Sequence, residues 1–421
     1  MLKKFKSAWY FPVASYFRFF ASIQLMFWRP KIVVVTGSSG KTTLLHLIES
    51  QIGKSAKYSH KANSAYGVPF DILGLKRKDL FLTEWFYLFL LAPVRAFKKP
   101  FKENLYIVEA DCDRPGEGKF LASLLKPAVT LWTGVSRTHS MNFDSLVLDR
   151  KFPSVDEAIS FEFGYFLEYT KDLSIVNGDS GLINNQLKRT DSTIKTVDKK
   201  QLNDYKVSRD GTIFEIDHQQ YKIPLLLPEE VFYSIAMTKE FLEYLDFKID
   251  PLFSNFIIPP GRSSLFKGIK QTILIDSTYN ATLDGMRAML QMFDKYPSKE
   301  KWVVLGDMIE LGEEEQEEHE KLAEIIANMK LDKIILIGPR ISKYTYPKLE
   351  QNKGLEVEKF TMPKDGLEYL KNNLKGGETI LFKGARFLEG IIEHLLENKN
   401  DAKYLPRREK VWQERRTKWG L

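Results

Sequence analysis

The sequence predicts an α/β protein built as a P-loop unit with a mainly parallel sheet, followed by a Rossmann-like C-terminal α/β unit. Three observations carry this. Short β-rich runs alternate with longer helical patterns along both halves of the chain. A Gly/Ser loop ending in Lys-Thr-Thr joins the first of these strands to a helix. Pro259-Pro260-Gly261 continues neither a helix nor a central strand, so it separates the two series. Length agrees, because 421 residues exceed what one ordinary hydrophobic core organises. With 43% hydrophobic and 28% charged residues, the chain has the composition of a soluble globular protein.

The N-terminal stretch, residues 1–30, is wholly basic in its charges, since the first acidic residue is Glu49. Between Lys3 and Lys31 lies an aromatic run from Trp9 to Trp28, holding Phe11, Tyr16, Phe17, Phe19, Phe20 and Phe27 and interrupted by Pro12, Arg18 and Gln24. A spanning helix needs about 20 predominantly apolar residues, a length reached here only by including a proline and a charge. The run therefore reads as a helix either packed on its own protein or lying in a membrane surface. No small-residue cleavage site precedes Lys31, which argues against a signal peptide. A second apolar run, Phe81 to Val94, contains Glu84 and Pro93, is too short to span, and is able to enlarge the same surface.

Strands are expected at KIVVVT from Lys31, LYIVEA from Leu105, PAVTLWT from Pro127 and LSIVNGD from Leu173. From Asp191 to Leu227 the pattern becomes short and β-branched around Asp210-Gly211, a hairpin signal, and Glu229 to Asp246 reads as a helix. Beyond the proline pair, strands are expected at TILID from Thr272, KWVVLGD from Lys301, DKIILIG from Asp332 and ETILFKG from Glu378, with helices starting near Leu283, Glu314, Pro363 and Arg386. The dinucleotide GxGxxG fingerprint is missing from this second series. Residues 403–421 carry six Lys/Arg beyond Lys403 together with Trp412 and Trp419, suiting an amphipathic helix on an acidic partner or lipid, or one docked on the body of the protein. The expected domains are thus 31–258 and 259–400, flanked by the basic segments 1–30 and 401–421.

One cysteine, Cys112, excludes an internal disulfide framework and a cysteine-rich zinc site, fits a reducing cytoplasm, and reads as a small packed residue. The net charge of +7 is modest for this length, and no nucleic-acid partner is expected.

The chemistry is concentrated at Gly37-Ser38-Ser39-Gly40-Lys41-Thr42-Thr43, between strand 32–35 and helix 44–52. Glycines there let backbone N–H groups and a helix N-terminus face anionic oxygens, Lys41 supplies a point charge, and Thr42 supplies an oxygen for magnesium. The longer GxxxxGK[ST] pattern would need glycine at Val35, so this is the shorter GxxGKTT form.

TGSSGKTT resembles the TGTNGKTT loop of the Mur ligases, the ATP-dependent enzymes that extend the peptidoglycan stem peptide. Further segments resemble the branch that adds D-alanyl-D-alanine. They are Asn63 to Pro69, Ile107-Val108-Glu109-Ala110 with Arg114-Pro115-Gly116-Glu117, Pro127 to His139, Pro260-Gly261-Arg262, Asp276 to Ala281, Leu305 to Gly312 with His319, and Lys383 to Arg386. The resemblance implies ATP and Mg2+ as cofactors. It gives Lys41 the β/γ phosphates, Thr42 and Glu109 the magnesium, His139 a second metal or the acyl phosphate, and Arg262, Asp276 and Asn280 nucleotide contacts. It implies as partners a UDP-linked or lipid-linked muramyl peptide and an amino acid or dipeptide, in the cytoplasm or at the inner face of the membrane.

Three departures accompany the resemblance. The usual N-terminal uridine-nucleotide domain is not expected ahead of Lys31. The helix that carries the family's carbamylated lysine reads EAISFEFGYFL here, from Glu157 to Leu167, and Glu162 is the acid expected to replace the carbamate as a metal-side anion. The adenine-contacting HNxxN segment is replaced by Pro228 to Tyr233. Two other readings are an amidating subunit resembling MurT, against which the single cysteine counts, and a non-enzymatic ATP-binding scaffold for wall synthesis, against which the retained Lys41, Thr42 and Glu109 count.

Overall fold

A computed structural model describes residues 9–60, 62–76, 82–137 and 140–421, Leu82 and Thr83 by their backbone alone. Lys3, Phe81 and His139 lie outside the described residues. Two compact units result, Met1–Gln201 with Tyr233–Asp250, and Leu202–Phe232 with Pro251–Leu421. The stretch 202–232 therefore gathers with the second unit, whereas the sequence pattern places it with the first.

The first unit is a six-stranded parallel sheet in the order β2-β3-β1-β4-β5-β6, formed by β1 (Lys31–Thr36), β2 (Lys57–Tyr58), β3 (Leu105–Ala110), β4 (Val129–Trp132), β5 (Leu173–Asn177) and β6 (Thr193–Val197). β1 is buried from Ile32 to Thr36, which is why its sequence reads as an unbroken apolar run rather than an alternation. Its neighbours β3 and β4 end level with it, Thr36 pairing with Ala110 on one side and Trp132 on the other. The crevice outside these carboxyl ends is where a parallel sheet places ligands.

Helices α1 (Tyr10–Trp28), α2 (Lys41–Ile52), α3 (Gly67–Leu73), α4 (Leu82–Ala96), α5 (Glu117–Leu125) and α6 (Val155–Glu168) surround this sheet, and α7 (Val231–Tyr244) joins it beyond its first turn. Pro12 is tolerated in α1 because it sits in the first turn, where an N–H would have no intrahelical acceptor. The helix ends at Arg29, whose left-handed backbone sends its N–H to Leu25 O at 2.8 Å ahead of Pro30. Ala14, Phe17, Ala21 and Trp28 are buried, and Phe17 packs edge-on against Phe70 of α3 at 4.7 Å. Of the two readings of the N-terminal run, the structure thus shows a helix packed on its own unit, with an outer face left over. Among the described residues no helix is long and apolar enough to cross a membrane.

The second unit contains an antiparallel sheet of β7 (Leu202–Ser208), β8 (Gly211–Ile216) and β9 (Gln219–Ile223). Ser208 pairs with Gly211, so the hairpin signal at Asp210-Gly211 is realised as a two-residue loop. Its main sheet has the order β10-β11-β15-β12-β13-β14, with β10 (Ser264–Lys267) antiparallel to β11 (Ile273–Ser277), and β12 (Lys301–Gly306), β13 (Lys333–Ile337), β14 (Val357–Phe360) and β15 (Thr379–Lys383) parallel. Alternate strand residues feed two cores: Ile275, Val303, Leu305 and Leu381 pack on one face, Leu274, Trp302, Val304 and Phe382 on the other. Helices α8 (Leu283–Lys295), α9 (Glu315–Ala327), α10 (Pro339–Tyr344), α11 (Pro363–Asn373) and α12 (Leu388–Leu395) accompany this sheet. The basic tail forms α13 (Lys410–Lys418) and docks on this unit, with Arg416 buried against Glu389, and Trp412 and Trp419 beside Phe387.

Candidate active site

The loop between β1 and α2 is shaped by three hydrogen bonds to the two residues that follow β4. Ser38 N donates to Gly134 O at 2.9 Å, and Thr133 Oγ1 donates to Thr36 O at 3.1 Å and Ser39 O at 2.5 Å. Gly37 is required there. Its φ is +121°, and a Cβ would fall 2.5 Å from Thr133 Oγ1 and 2.8 Å from Gly134 O. Gly40, at φ +82°, precedes the first turn of α2, so the free N–H groups of that turn open onto the loop. The Ser38 hydroxyl is buried without a hydrogen-bond partner. A Gly-lined cradle, a helix N-terminus and an unsatisfied buried hydroxyl suit an anionic phosphate.

Lys41 is buried at the base of this cradle. Its ammonium donates to Gly37 O at 2.5 Å and pairs with Asp111 Oδ2 at 2.7 Å. Burial pulls its pKa down, but Asp111 and then Glu109 outweigh that and hold it above the usual lysine range, so Lys41 is charged. Thr42 Oγ1 donates to Glu109 Oε2 at 3.0 Å, bringing together the two residues read as magnesium ligands. Both supply hard oxygen donors, as Mg2+ demands. Glu109 N donates to Ser59 Oγ at 2.9 Å, and Asp111 N donates to Asn63 O at 2.8 Å, which ties the Asn63 to Pro69 segment to the same strand end.

Asp111 and Thr133 were not singled out by sequence reasoning, although each directly follows a strand that ends at the site. Cys112, next to Asp111, is buried; burial, then Glu162 and Asp111, push its thiol far up, so it is an inert packed residue.

Glu162, read from the sequence as a metal-side anion, meets backbone donors in the structure. Its two oxygens accept Gly116 N at 2.8 Å and Gly118 N at 3.0 Å, closing the N-terminus of α5. A carboxylate there meets N–H groups that the helix leaves unpaired, and that accounts for an acid on the buried face of α6. Neighbouring Glu117 is fully buried and accepts Tyr10 OH at 2.9 Å, Ala65 N at 2.7 Å and Asp113 N at 3.1 Å. It therefore ties α1 to two of the motif segments. Burial raises its pKa to about 7.

In the second unit, Asp276 and Lys383 stand at the adjoining ends of β11 and β15, where Ser277 pairs with Lys383. Asp276 Oδ1 accepts Thr278 N at 3.0 Å and Thr278 Oγ1 at 2.7 Å, while Oδ2 is buried without a partner. Burial lifts Asp276 to about 6. Lys383 Nζ donates to Asn280 O at 2.8 Å, and burial, then Arg262, lower it to about 8. Arg262 lies over the Tyr279 ring at 4.6 Å, and Asn280 is exposed. The structure so gathers Arg262, Asp276 and Asn280 around one turn and adds Lys383. Asp307 caps α10 through Arg340 N at 3.0 Å and Ile341 N at 2.9 Å, and receives Arg386 Nε at 2.7 Å. The motif segments around Asp307 and Arg386 are thereby locked to each other.

Comparison with known proteins matches residues 261–386 to the family described as Mur ligase, glutamate ligase domain. The chain is 25% identical over 383 residues to the UDP-N-acetylmuramoyl-tripeptide--D-alanyl-D-alanine ligase of Bacillus subtilis, covering 87% of this chain and 76% of that one. It is 24% identical over 397 residues to the ligase of the same name from Buchnera aphidicola, covering 88% and 77%. Among solved structures, the MurF ligase of Thermotoga maritima superposes with a TM-score of 0.72 at 21% identity, covering 90% of this chain and 82% of that one. A phosphate loop on the first parallel sheet thus accompanies, on the second, a segment that matches the Mur ligase, glutamate ligase domain, and relatives at 24–25% identity align across both.

Proposed function

We propose that this chain is an ATP- and Mg2+-dependent ligase that joins a peptidoglycan-precursor carboxylate to D-alanyl-D-alanine or a similar amine. The observation that carries the reading is the contact of Thr42 with Glu109 at the mouth of the cradle that Lys41 closes. The carboxylate oxygen attacks the γ-phosphorus of ATP and ADP leaves. The amine then attacks the acyl carbon, phosphate leaves with the C–O bond pair, and the amine loses a proton. Lys41 neutralises the β/γ oxygens, and the N–H groups of 37–43 orient them. Thr42 and Glu109 would hold magnesium, which would supply further charge neutralisation. His139 is assigned to the acyl phosphate or a second metal, and Arg262, Asp276 and Asn280 to the nucleotide. The deciding experiment incubates the protein with ATP, Mg2+, UDP-muramyl-tripeptide and D-Ala-D-Ala and seeks the amide product by mass spectrometry. A parallel reaction with the lipid-linked muramyl peptide separates the two carriers, and absence of product from both rejects the reading.

One observation favours work at the cytoplasmic face of the membrane. The outer side of α4 exposes Phe86 (68%), Leu90 (61%), Val94 (58%) and, just beyond the helix, Phe97 (67%), a stripe at helical spacing. Phe19, Met26 and Phe27 of α1 are exposed too, and the rings of Phe27 and Phe97 lie 6.2 Å apart. Arg29, Lys98, Lys99 and Lys102 are exposed beyond the ends of the two helices. Apolar side chains collared by cations suit an anionic lipid surface. Co-sedimentation with phosphatidylglycerol vesicles, weaker with phosphatidylcholine and lost in Phe86→Ser/Leu90→Ser, is expected; equal indifference to both vesicles rejects this placement.

A further inference from the structure

On α2, beyond the loop residues, His46 and Glu49 stand one turn apart, and His60 reaches them from the chain that follows β2. One ligand atom from each lies within 4.8 Å of the others. Glu49 Oε2 is 3.4 Å from His46 Nδ1 and 3.2 Å from His60 Nε2, and Glu49 Oε1 is also 3.2 Å from His60 Nε2. Ligands held about 2.0–2.1 Å from a tetrahedral zinc stand about 3.3–3.4 Å apart, so the distances from Glu49 Oε2 to the two imidazole nitrogens already have the spacing of a coordination shell.

The supports are independent of one another. His46 and Glu49 project from a helix whose buried face is fixed by Leu44, Leu45, Leu47 and Ile48. His60 follows Ser59, whose N donates to Ile107 O at 3.0 Å and whose Oγ accepts Glu109 N at 2.9 Å. The imidazoles of His46 and His60 stack at 4.9 Å, and the Tyr58 ring stacks on His60 at 5.9 Å. The side chains of His60 and Glu49 are 40% and 34% exposed, which leaves an approach from solvent.

We propose that His46, Glu49 and His60 form a site for a first-row divalent transition metal, zinc first among them, separate from the magnesium site at Thr42 and Glu109. Two nitrogens and one carboxylate select borderline metals over Mg2+ or Ca2+, which prefer oxygen alone. Three protein donors leave at least one position for water or another ligand. A bound ion clips the end of β2 to the helix that carries Lys41 and Thr42 at its start.

The test uses the full chain, stripped with chelator and held in excess Mg2+, titrated with Zn2+ by calorimetry and with Co2+ by visible absorption. One equivalent is expected to bind, with a cobalt spectrum of low coordination number and a rise in melting temperature. His60→Ala and Glu49→Gln should each weaken Zn2+ at least tenfold while circular dichroism stays unchanged, and His218→Ala should bind as the native chain does. No stoichiometric binding, or binding in His60→Ala within twofold of native, overturns the assignment. Binding lost instead in His139→Ala places the metal elsewhere and overturns it equally.

Discussion

Glu162→Gln separates a metal-side role from a structural one. The substitution keeps one carbonyl oxygen for either Gly116 N or Gly118 N and turns an amide NH2 toward the other. Losing a charge-assisted bond at a buried site costs about 1.5–3 kcal/mol, and losing a negative charge at a helix N-terminus adds about 0.3–1 kcal/mol. Burial already raises the pKa of Glu162, so part of this is offset by relief of desolvation. The net expectation is a loss of about 2 kcal/mol from the first unit. With an m-value of about 2–3 kcal/mol/M, the urea midpoint of that unit falls by roughly 0.7–1 M. Tryptophan fluorescence reads the transition, since Trp132 is buried in β4. The magnesium concentration that half-saturates ATP turnover should stay within twofold of native. An unchanged urea midpoint together with a tenfold shift in magnesium dependence would refute the capping role and restore the metal-side one.

Gly37→Ala forces a Cβ to 2.5 Å from Thr133 Oγ1 at a φ of +121°, so ATP affinity by calorimetry should drop at least tenfold with the far-UV spectrum unchanged; native affinity would contradict the cradle. Thr42→Val removes the oxygen beside Glu109 and should raise the magnesium requirement at least tenfold, whereas Thr42→Ser should keep it near native; equal behaviour of the two would discount the hydroxyl. Glu117 should make stability pH-dependent. Its folded pKa of about 7 lies above the ordinary 4.5, so between these values the native state binds more protons than the unfolded one and stability falls as pH rises. The loss from pH 5 to 8 is of order 2–3 kcal/mol, and urea midpoints of Glu117→Gln should vary less over that interval; an equal slope in both proteins would count against it.

What could be read from the chain depended on how many neighbours each segment needed. β1, its loop and α2 are local and carry their own signals, an apolar run, glycines and a lysine, so both element and chemistry were legible. β2 has two residues, β6 exposes Thr193, Ile194 and Thr196, and β14 has exposed and half-buried positions only, so these edge strands lack the apolar runs of the interior. Asp111 and Thr133 gain their roles from register, because β3 and β4 end level with Thr36, and apolar patterning is silent on register. The capping contacts of Glu162 were illegible for a related reason. Its partners Gly116 and Gly118 are 46 and 44 residues away, and a motif comparison shows an acid without showing what it caps.

The proposed chemistry requires that ATP held in the cradle of Gly37 to Thr43 give up its γ-phosphoryl group to an acceptor carboxylate. ADP release from ATP and Mg2+, measured with and without the muramyl peptide and D-Ala-D-Ala, tests this most directly. Release should require the peptide, rise further with the amine, and vanish in Lys41→Ala. ADP formed at the same rate with no acceptor, or tight ATP binding with no release under any condition, would contradict it.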